Sequence, residues 1–365
     1  MADPHSDWNK IPVWSLAAPL LGGALVGAKF AGLVAGSNPI VLISAVALLG
    51  MAVFAAVHHA EALAIRIGEP FGSILLALAI TTLEVGLIVS VMLSGAAGSD
   101  SVARDTVFSA VMIVLNGVVG LCLMTGAQKH YEQEFRVQGA AGILSVISTL
   151  AIMAFVLPNF TRTTPGPSLA TSQLIFIGAV SLILYGFFVF IQTVRHRDDF
   201  IFGDGVVHHG TMPTGRTTLI SATFLNLALL VVILLAKTLS PVVEGAVRQA
   251  GLPLGVVGVV IAAVVLLPEG LSALKSARSN RLQSSLNASL GSVAASIGLT
   301  IPVVGAVSVY LGQSLTLGLS SEALVLLLLT LFVSTLTFAT GRTTMLQGAV
   351  HLVIFGVFLF LAAVP

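Results

Sequence analysis

The chain has 365 residues, of which 56% are hydrophobic and only 8% are charged, and its formal net charge is +1. Its mean hydropathy of +1.05 lies far outside the range of soluble globular proteins. This composition excludes a soluble enzyme and gives no reason to expect a nucleic-acid partner. Apolar stretches of about 20 residues recur almost without interruption, so the sequence predicts an all-α polytopic membrane protein.

Windows of about 19 residues predict eleven transmembrane helices. The ranges are 12–34, 38–57, 70–95, 106–126, 137–157, 172–194, 217–239, 251–275, 284–311, 319–339 and 345–363. The first apolar run has no convincing cleavage site, so we expect a retained helix and not a signal peptide. The longest polar connection divides the last ten helices into two sets of five. The predicted division is 1–37 for the tail and first helix, 38–194 for the first repeat, 195–216 for a cytoplasmic loop and 217–365 for the second repeat.

An odd number of helices in each half means that equivalent helices cross the membrane in opposite directions. This inverted-repeat plan is typical of secondary transporters. The two halves share an ordered pattern. Ser109 follows Glu84 of helix 3 at about the same distance along the sequence as Ser292 follows Glu269 of helix 8. The sequence therefore predicts one N-terminal helix followed by two inverted five-helix repeats.

Lysine and arginine are distributed unequally between the two ends of the predicted helices. Eleven of the 16 basic residues fall on the side of the N-terminus and five on the other side. Positive residues favour the cytoplasm. We therefore expect a multi-pass protein of the plasma (inner) membrane with its N-terminus in the cytoplasm.

Glu84 and Glu269 are the acidic residues that fall well inside apolar spans. An isolated carboxylate in hydrocarbon costs on the order of several kcal/mol, so it marks a functional site unless it is compensated. Pro268 and Gly270 flank Glu269 and predict an interrupted helix that exposes carbonyl oxygens beside the carboxylate. Hard cations such as calcium bind several oxygen ligands of this kind. The alternative is a protonated glutamate that bridges two helices.

Neutral oxygen donors accompany both acids. Helix 9 carries serines at 285, 289, 292 and 296, on one helical face. Ser109 and Asn116 lie seven residues apart on one face of helix 4. We interpret Ser109, Asn116 and Ser292 as candidate metal ligands, together with Glu84 and Glu269. The alternative for the serine face is close helix packing through small residues.

The histidines are divided between predicted loops and one helix. His58, His59 and Glu61 follow predicted helix 2, and His208 and His209 lie in the central loop. We interpret them as solvated, with pH sensing as the alternative. His351 lies inside helix 11, where a proton relay and a hydrogen bond to a neighbouring helix remain equally open. The central loop also holds Asp198, Asp199 and Asp204 among arginines, which indicates a solvated loop and not an EF-hand.

Three segments carry a family resemblance: GEPFGSILLALAITTLEVGLIVSVML, LLPEGLSALKSARSNRLQSSLNASLGSVAASIGLTIP and TGRTTMLQGAVHL. In them the chain resembles the ChaA-type cation/proton antiporters of the calcium/cation antiporter superfamily, which includes the CAX calcium/proton exchangers. The resemblance implies eleven helices in two inverted halves, with one motif acid in each half, at Glu84 and Glu269. It also implies a Gly-Ser step at Gly291 and Ser292. The usual GNATE-like and GNAAE-like motifs are here Thr-Thr-Leu-Glu and Leu-Leu-Pro-Glu, which leaves calcium, sodium and potassium open.

The predicted function is therefore antiport. Glu84 and Glu269 would each bind either a dehydrated cation or a proton, because burial favours the neutral acid whereas a bound cation favours the ionised form. Calcium is the expected substrate, with sodium and potassium as alternatives, and no cofactor is expected beyond these transported ions. Membrane lipids are the expected surroundings, and a homo-oligomer stays open. The rival functions are a cation channel and an intramembrane serine hydrolase built on Ser272 and His351, for which no Gly-x-Ser-x-Gly motif is present.

Overall fold

The computed structural model describes residues 10–34, 38–68, 71–93, 98–200 and 212–365. Within these residues, eleven helices are long and apolar enough to cross a membrane. They are α1 (Val13–Phe30), α2 (Pro39–Ile67), α3 (Phe71–Met92), α4 (Val102–His130), α5 (Val137–Asn159), α6 (Thr171–Arg195), α7 (Gly215–Gln249), α8 (Gly255–Arg278), α9 (Leu282–Leu311), α10 (Ser321–Phe338) and α11 (Met345–Ala363). The predicted all-α architecture of eleven membrane-spanning helices is confirmed. The division into inverted repeats stays a prediction.

Two helices continue well past their predicted ends. Helix α2 begins at the Asn38 cap, whose side chain accepts a hydrogen bond from the Ile40 amide at 2.9 Å, and it ends at Gly68, whose φ is 77°. Its last turns have the sequence AEALAIRI, which is polar enough to end a hydropathy window but consists of good helix formers. Helix α7 likewise runs through Pro241 to Gln249. The extension of α2 places residues 58–61 inside a helix, where a loop was expected.

The predicted interruption at Pro268 is wrong. Helix α8 runs without a break from Gly255 to Arg278 and contains Pro268. A proline removes one hydrogen bond, the one that the carbonyl of Val264 would accept, and the rest of a long helix can hold the chain around it. The proline therefore frees one carbonyl group one turn before Glu269 and does not produce a broken helix.

Several helices widen locally into π-helical turns, which no sequence pattern predicted. One such turn, Ile113–Val118, lies in α4, and another, Ser296–Thr300, lies in α9. They begin 29 residues after Glu84 and 27 residues after Glu269 respectively. Further π-helical turns lie at Ile152–Val156 in α5 and Ile191–Arg195 in α6. Such turns are frequent at functional sites, and two of them interrupt the helices that follow the acidic helices.

The helices form two compact units. The first comprises Met1–Ser99 and Val206–Gln249, and contains α1, α2, α3 and α7. In it α2 packs against the other three helices. The second unit comprises Asp100–Gly205 and Ala250–Pro365, and contains the remaining helices. Here α8 packs on α4 and α9, and α11 packs on α4. A short antiparallel pair, β1 (Gln133–Glu134) and β2 (Arg342–Thr343), joins the connections that follow α4 and α10.

Candidate functional site

Glu84 lies in the interior of the first unit. Its side chain on α3 is only 4% exposed, and Leu83 and Leu87 beside it are 1% and 3% exposed. Two residues later, Gly86 allows a close approach to α7, because a Cβ atom there would lie 2.6 Å from the side chain of Ile233. The carboxyl group is therefore enclosed by protein and does not face lipid, as the high cost of a charge in hydrocarbon requires.

Glu269 lies in the second unit and is half-buried. The hydroxyl of Ser292 on α9 donates a hydrogen bond to Oε2 of Glu269, with an O–O distance of 2.5 Å. A bond this short is typical of a hydroxyl that donates to a carboxylate. The structure therefore brings together two of the five predicted site residues. Their role in binding a cation stays a prediction.

Asn116 lies in the π-helical turn of α4, and its side chain is fully buried. Its Nδ2 donates to the hydroxyl of Thr330 on α10 at 2.9 Å, and its Oδ1 is 3.2 Å from Nδ1 of His351 on α11. The Nε2 atom of His351 is in turn 3.1 Å from the hydroxyl of Thr337 on α10. Two interpretations of His351 were left open, and the structure shows one of them, the hydrogen bonds to neighbouring helices.

Ser109 is 2% exposed, and its hydroxyl donates to the carbonyl of Asp105 in its own helix at 2.5 Å. Because the hydroxyl hydrogen is used inside α4, the oxygen offers its lone pairs as acceptors. Asp105 lies where α4 meets α8, since a Cβ atom at Gly258 would be 2.8 Å from the Cβ of Asp105. Ser109 thus lies one helical turn after this close α4–α8 approach.

The serine face of α9 is buried, as expected for one side of a helix. Ser285, Ser289 and Ser296 are 1%, 4% and 4% exposed. Within the described part of the chain, the hydroxyl of Ser289 has no hydrogen-bond partner. A buried hydroxyl without a partner is costly. Close helix packing and a role in binding a cation both stay open for this face.

The interpretation of His59 as a solvated loop residue is wrong. Its side chain is fully buried in α2. Its Nε2 lies 3.3 Å from the Ser15 carbonyl of α1, and its Nδ1 lies 3.3 Å from the Ser221 hydroxyl of α7. His58 is also part of the helix, and its ring lies 5.7 Å from that of Trp14 between centroids. Because α2 continues past residue 57, these rings face neighbouring helices.

Glu61 is likewise part of α2 and is half-buried there, so its expected loop position is also wrong. In the central connection, Asp198 is exposed, and Asp199 lies 3.6 Å from Nδ1 of His196. These contacts agree with a solvated loop. Asp204, His208 and His209 lie outside the described residues.

Sequence reasoning missed Tyr185 on α6. This buried residue packs across the π-helical turn of α9, where a Cβ atom at Gly298 would lie 2.8 Å from that of Tyr185. Tyr185 is also within electrostatic range of Glu269. The sequence could have pointed to this residue through its phenol, because the chain has only three tyrosines and this one falls in an apolar span.

Comparison with known proteins gives consistent matches along the chain. The model of the sodium/calcium exchanger protein family matches residues 37–194 and 220–364. Protein y4hA of Sinorhizobium fredii (strain NBRC 101917 / NGR234) is 53% identical over 356 residues, which are 97% of each chain. The sodium-potassium/proton antiporter ChaA of Escherichia coli (strain K12) is 34% identical over 328 residues, which are 88% of each chain. The structure of native YfkE has a TM-score of 0.75 at 18% identity, and the match covers 96% of this chain and 100% of YfkE.

Proposed function

This chain belongs to the sodium/calcium exchanger protein family, and from that premise we infer that it is a secondary active transporter that exchanges cations for protons across the membrane. The family is one of transporters, so we propose no enzymatic activity. The observation that supports exchange most directly is the contact between Glu269 and Ser292 inside apolar helices.

A carboxylate and a hydroxyl are the oxygen donors that hard cations bind. In an apolar span the carboxylate is costly as a bare charge, so it is stable when a proton or a cation neutralises it. One carboxylate cannot hold both at full occupancy, so release of one favours binding of the other. We propose this alternation at Glu269 and also at Glu84 in α3, with both carboxylates required for exchange and with Ser109, Asn116 and Ser292 as neutral oxygen donors. Alternating access of the occupied sites to the two membrane faces then couples the two fluxes.

Calcium is the proposed substrate, with sodium and potassium as the alternatives. Calcium binds six to eight oxygen ligands, including carboxylates, which suits a site that contains a glutamate and several hydroxyl and carbonyl oxygens. The alternatives are favoured by the E. coli relative, whose name specifies sodium and potassium. The Thr-Thr-Leu-Glu and Leu-Leu-Pro-Glu segments lack the side-chain amides of the usual motifs. This absence also favours sodium or potassium over calcium.

The ion can be identified in everted membrane vesicles that hold a proton gradient. We expect calcium to dissipate the gradient, read as recovery of a quenched pH-sensitive dye, with sodium and potassium tested separately at several pH values. Vesicles without the protein are the control. An ion flux that follows the membrane voltage and moves no protons would instead identify a channel, and no gradient dissipation by any of the three ions would refute cation/proton exchange.

We further propose that the protein lies in the plasma membrane, surrounded by lipids, with its N-terminus in the cytoplasm, because basic residues are concentrated on that side. Single cysteines can test this, since native Cys122 is fully buried. Arg162 and Lys275 are exposed at opposite ends of the helices. We expect an impermeant maleimide to label Arg162→Cys on intact cells, and Lys275→Cys only after permeabilisation. The reverse pattern would mean the opposite orientation. We make no proposal on a homo-oligomer.

A further inference from the structure

A buried polar chain in the second unit joins α4, α10 and α11. It consists of Thr330, Asn116, His351 and Thr337, linked by contacts of 2.9, 3.2 and 3.1 Å. None of the four side chains is more than 3% exposed. An ionisable residue inside a membrane span is costly and marks a functional site unless a structural role explains it. His351 therefore requires an explanation.

Small residues allow this chain to form. Helix α11 lies so close to α4 that a Cβ atom at Gly348 would be 2.6 Å from the amide nitrogen of Met124. A Cβ atom at Gly120 would be 3.1 Å from the Cβ of His351. These two glycines remove the bulk that would separate the helices, as small residues do in membrane helix pairs. The imidazole can then reach Asn116 across the contact.

The hydrogen-bond directions favour an orienting role for His351 in this chain. The Oδ1 atom of Asn116 can only accept, so Nδ1 of His351 carries the hydrogen and donates to it. The Nε2 atom then accepts from the hydroxyl of Thr337. The chain ends in an amide, which neither takes up nor releases protons near neutral pH. What His351 does control is the orientation of that amide, with its oxygen towards α11 and its nitrogen towards Thr330.

The oriented amide belongs to the segment that contacts the helix of Glu269. Val118, in the same π-helical turn as Asn116, lies against Gly270, since a Cβ atom at Gly270 would be 3.2 Å from Cγ2 of Val118. An amide oxygen has two lone pairs, of which His351 occupies one. We propose that His351 is a positioning residue for cation exchange, which fixes the Asn116 amide so that its second lone pair serves the transported ion. This inference rests on the proposed function.

The test replaces His351 by leucine, which cannot donate to Asn116, and by glutamine, whose amide can. Loss of a residue that orients a metal ligand typically weakens metal affinity about 10- to 100-fold. We expect His351→Leu to raise the KM for the cation by roughly that factor with kcat little changed, and His351→Gln to restore much of the affinity. Thr335→Val is the matched control, because Thr335 lies on the exposed face of α10 and donates to its own helix at 2.8 Å.

A double substitution tests whether His351 acts through Asn116. Adding His351→Leu to Asn116→Leu should raise KM no further than Asn116→Leu alone, because the residue to be positioned is already absent. An unchanged KM in His351→Leu, or additive effects in the double variant, would overturn the proposal. If His351→Leu does not reach the membrane, Thr330→Val carries the test, because it removes the other contact that orients the amide, and an unchanged KM there would also overturn it.

The failure of this inference differs from a failure of the proposed function. Wild-type exchange with normal His351→Leu kinetics would refute only the positioning role. If the wild type exchanges no ion, affinity is read from the rise in melting temperature that added calcium, sodium or potassium produces in the purified protein. A loss of that rise in His351→Leu but not in Thr335→Val would then support the positioning role alone, and an equal rise in both would refute it.

Discussion

Replacing Glu269 by glutamine is expected to reduce cation/proton exchange to the level of vesicles without the protein. Glutamine keeps the shape of the side chain but cannot carry the charge that a cation or a proton neutralises. Removing one partner from a buried charge pair costs about 3–5 kcal/mol, which is at least roughly 100-fold in affinity. The measurement is recovery of dye quenching after cation addition, at equal protein amounts in the membrane.

Two further variants test whether the loss of exchange is specific to the Glu269 site. Ser292→Ala removes the hydroxyl that donates to Glu269 but leaves the charge, and a hydrogen bond to a charged group contributes about 1.5–3 kcal/mol. We therefore expect a partial loss of about 10- to 100-fold. Glu322→Gln is the matched control, because Glu322 is an exposed glutamate at the start of α10. Full exchange by Glu269→Gln would contradict the proposed role, and so would a loss shared equally by Glu322→Gln.

The number and order of the helices could be predicted from sequence because lipid imposes a strong condition on each span. A helix that crosses the hydrocarbon core needs about 20 mostly apolar residues, and eleven such stretches stand out. Helix ends are different, since they depend on helix propensity and caps. The end of α2 at Ile67 was missed for this reason, and with it the burial of His59.

The two acids were also recognisable from sequence, because a carboxylate inside an apolar run is rare and costly. The contact of Glu269 with Ser292 agrees with the repeated spacing of acid and serine in both halves. The partners of Asn116 could not be predicted in the same way. Thr330 and His351 are 214 and 235 residues away in the chain, and their meeting depends on how α4, α10 and α11 pack.

The π-helical turns had no recognisable sequence signal. The π-helix is rare and occurs mostly as single turns inside α-helices. In the second unit Gly270 of α8 meets Val118 of the α4 turn, and Tyr185 of α6 meets Gly298 of the α9 turn. Both turns therefore lie where another helix comes close, and one of them lies against the helix of Glu269.

Glu84→Gln is expected to abolish exchange without lowering the melting temperature of the protein. Glu84 is 4% exposed, and burying an ionised group costs more than burying a neutral amide. Glutamine should therefore be tolerated as well as glutamate or better, while the exchangeable charge is lost. The measurements are gradient dissipation in vesicles, with a fall to background, and thermal unfolding of the purified protein in detergent.

Transport and melting temperature, measured together, separate a transport role for Glu84 from the alternative of a protonated glutamate that only bridges helices. A protonated glutamate donates and accepts as a glutamine amide does, so a structural bridge would keep both stability and transport in Glu84→Gln and would lose stability in Glu84→Leu. Thr82→Val is the control for the helix itself, because Thr82 is exposed on α3 and donates to the Leu78 carbonyl at 2.7 Å. Exchange that persists in Glu84→Gln, with a melting temperature that falls in Glu84→Leu but not in Thr82→Val, would favour the bridge. Exchange that persists in Glu84→Gln would remove this residue from the mechanism and leave Glu269 as the proposed exchangeable site.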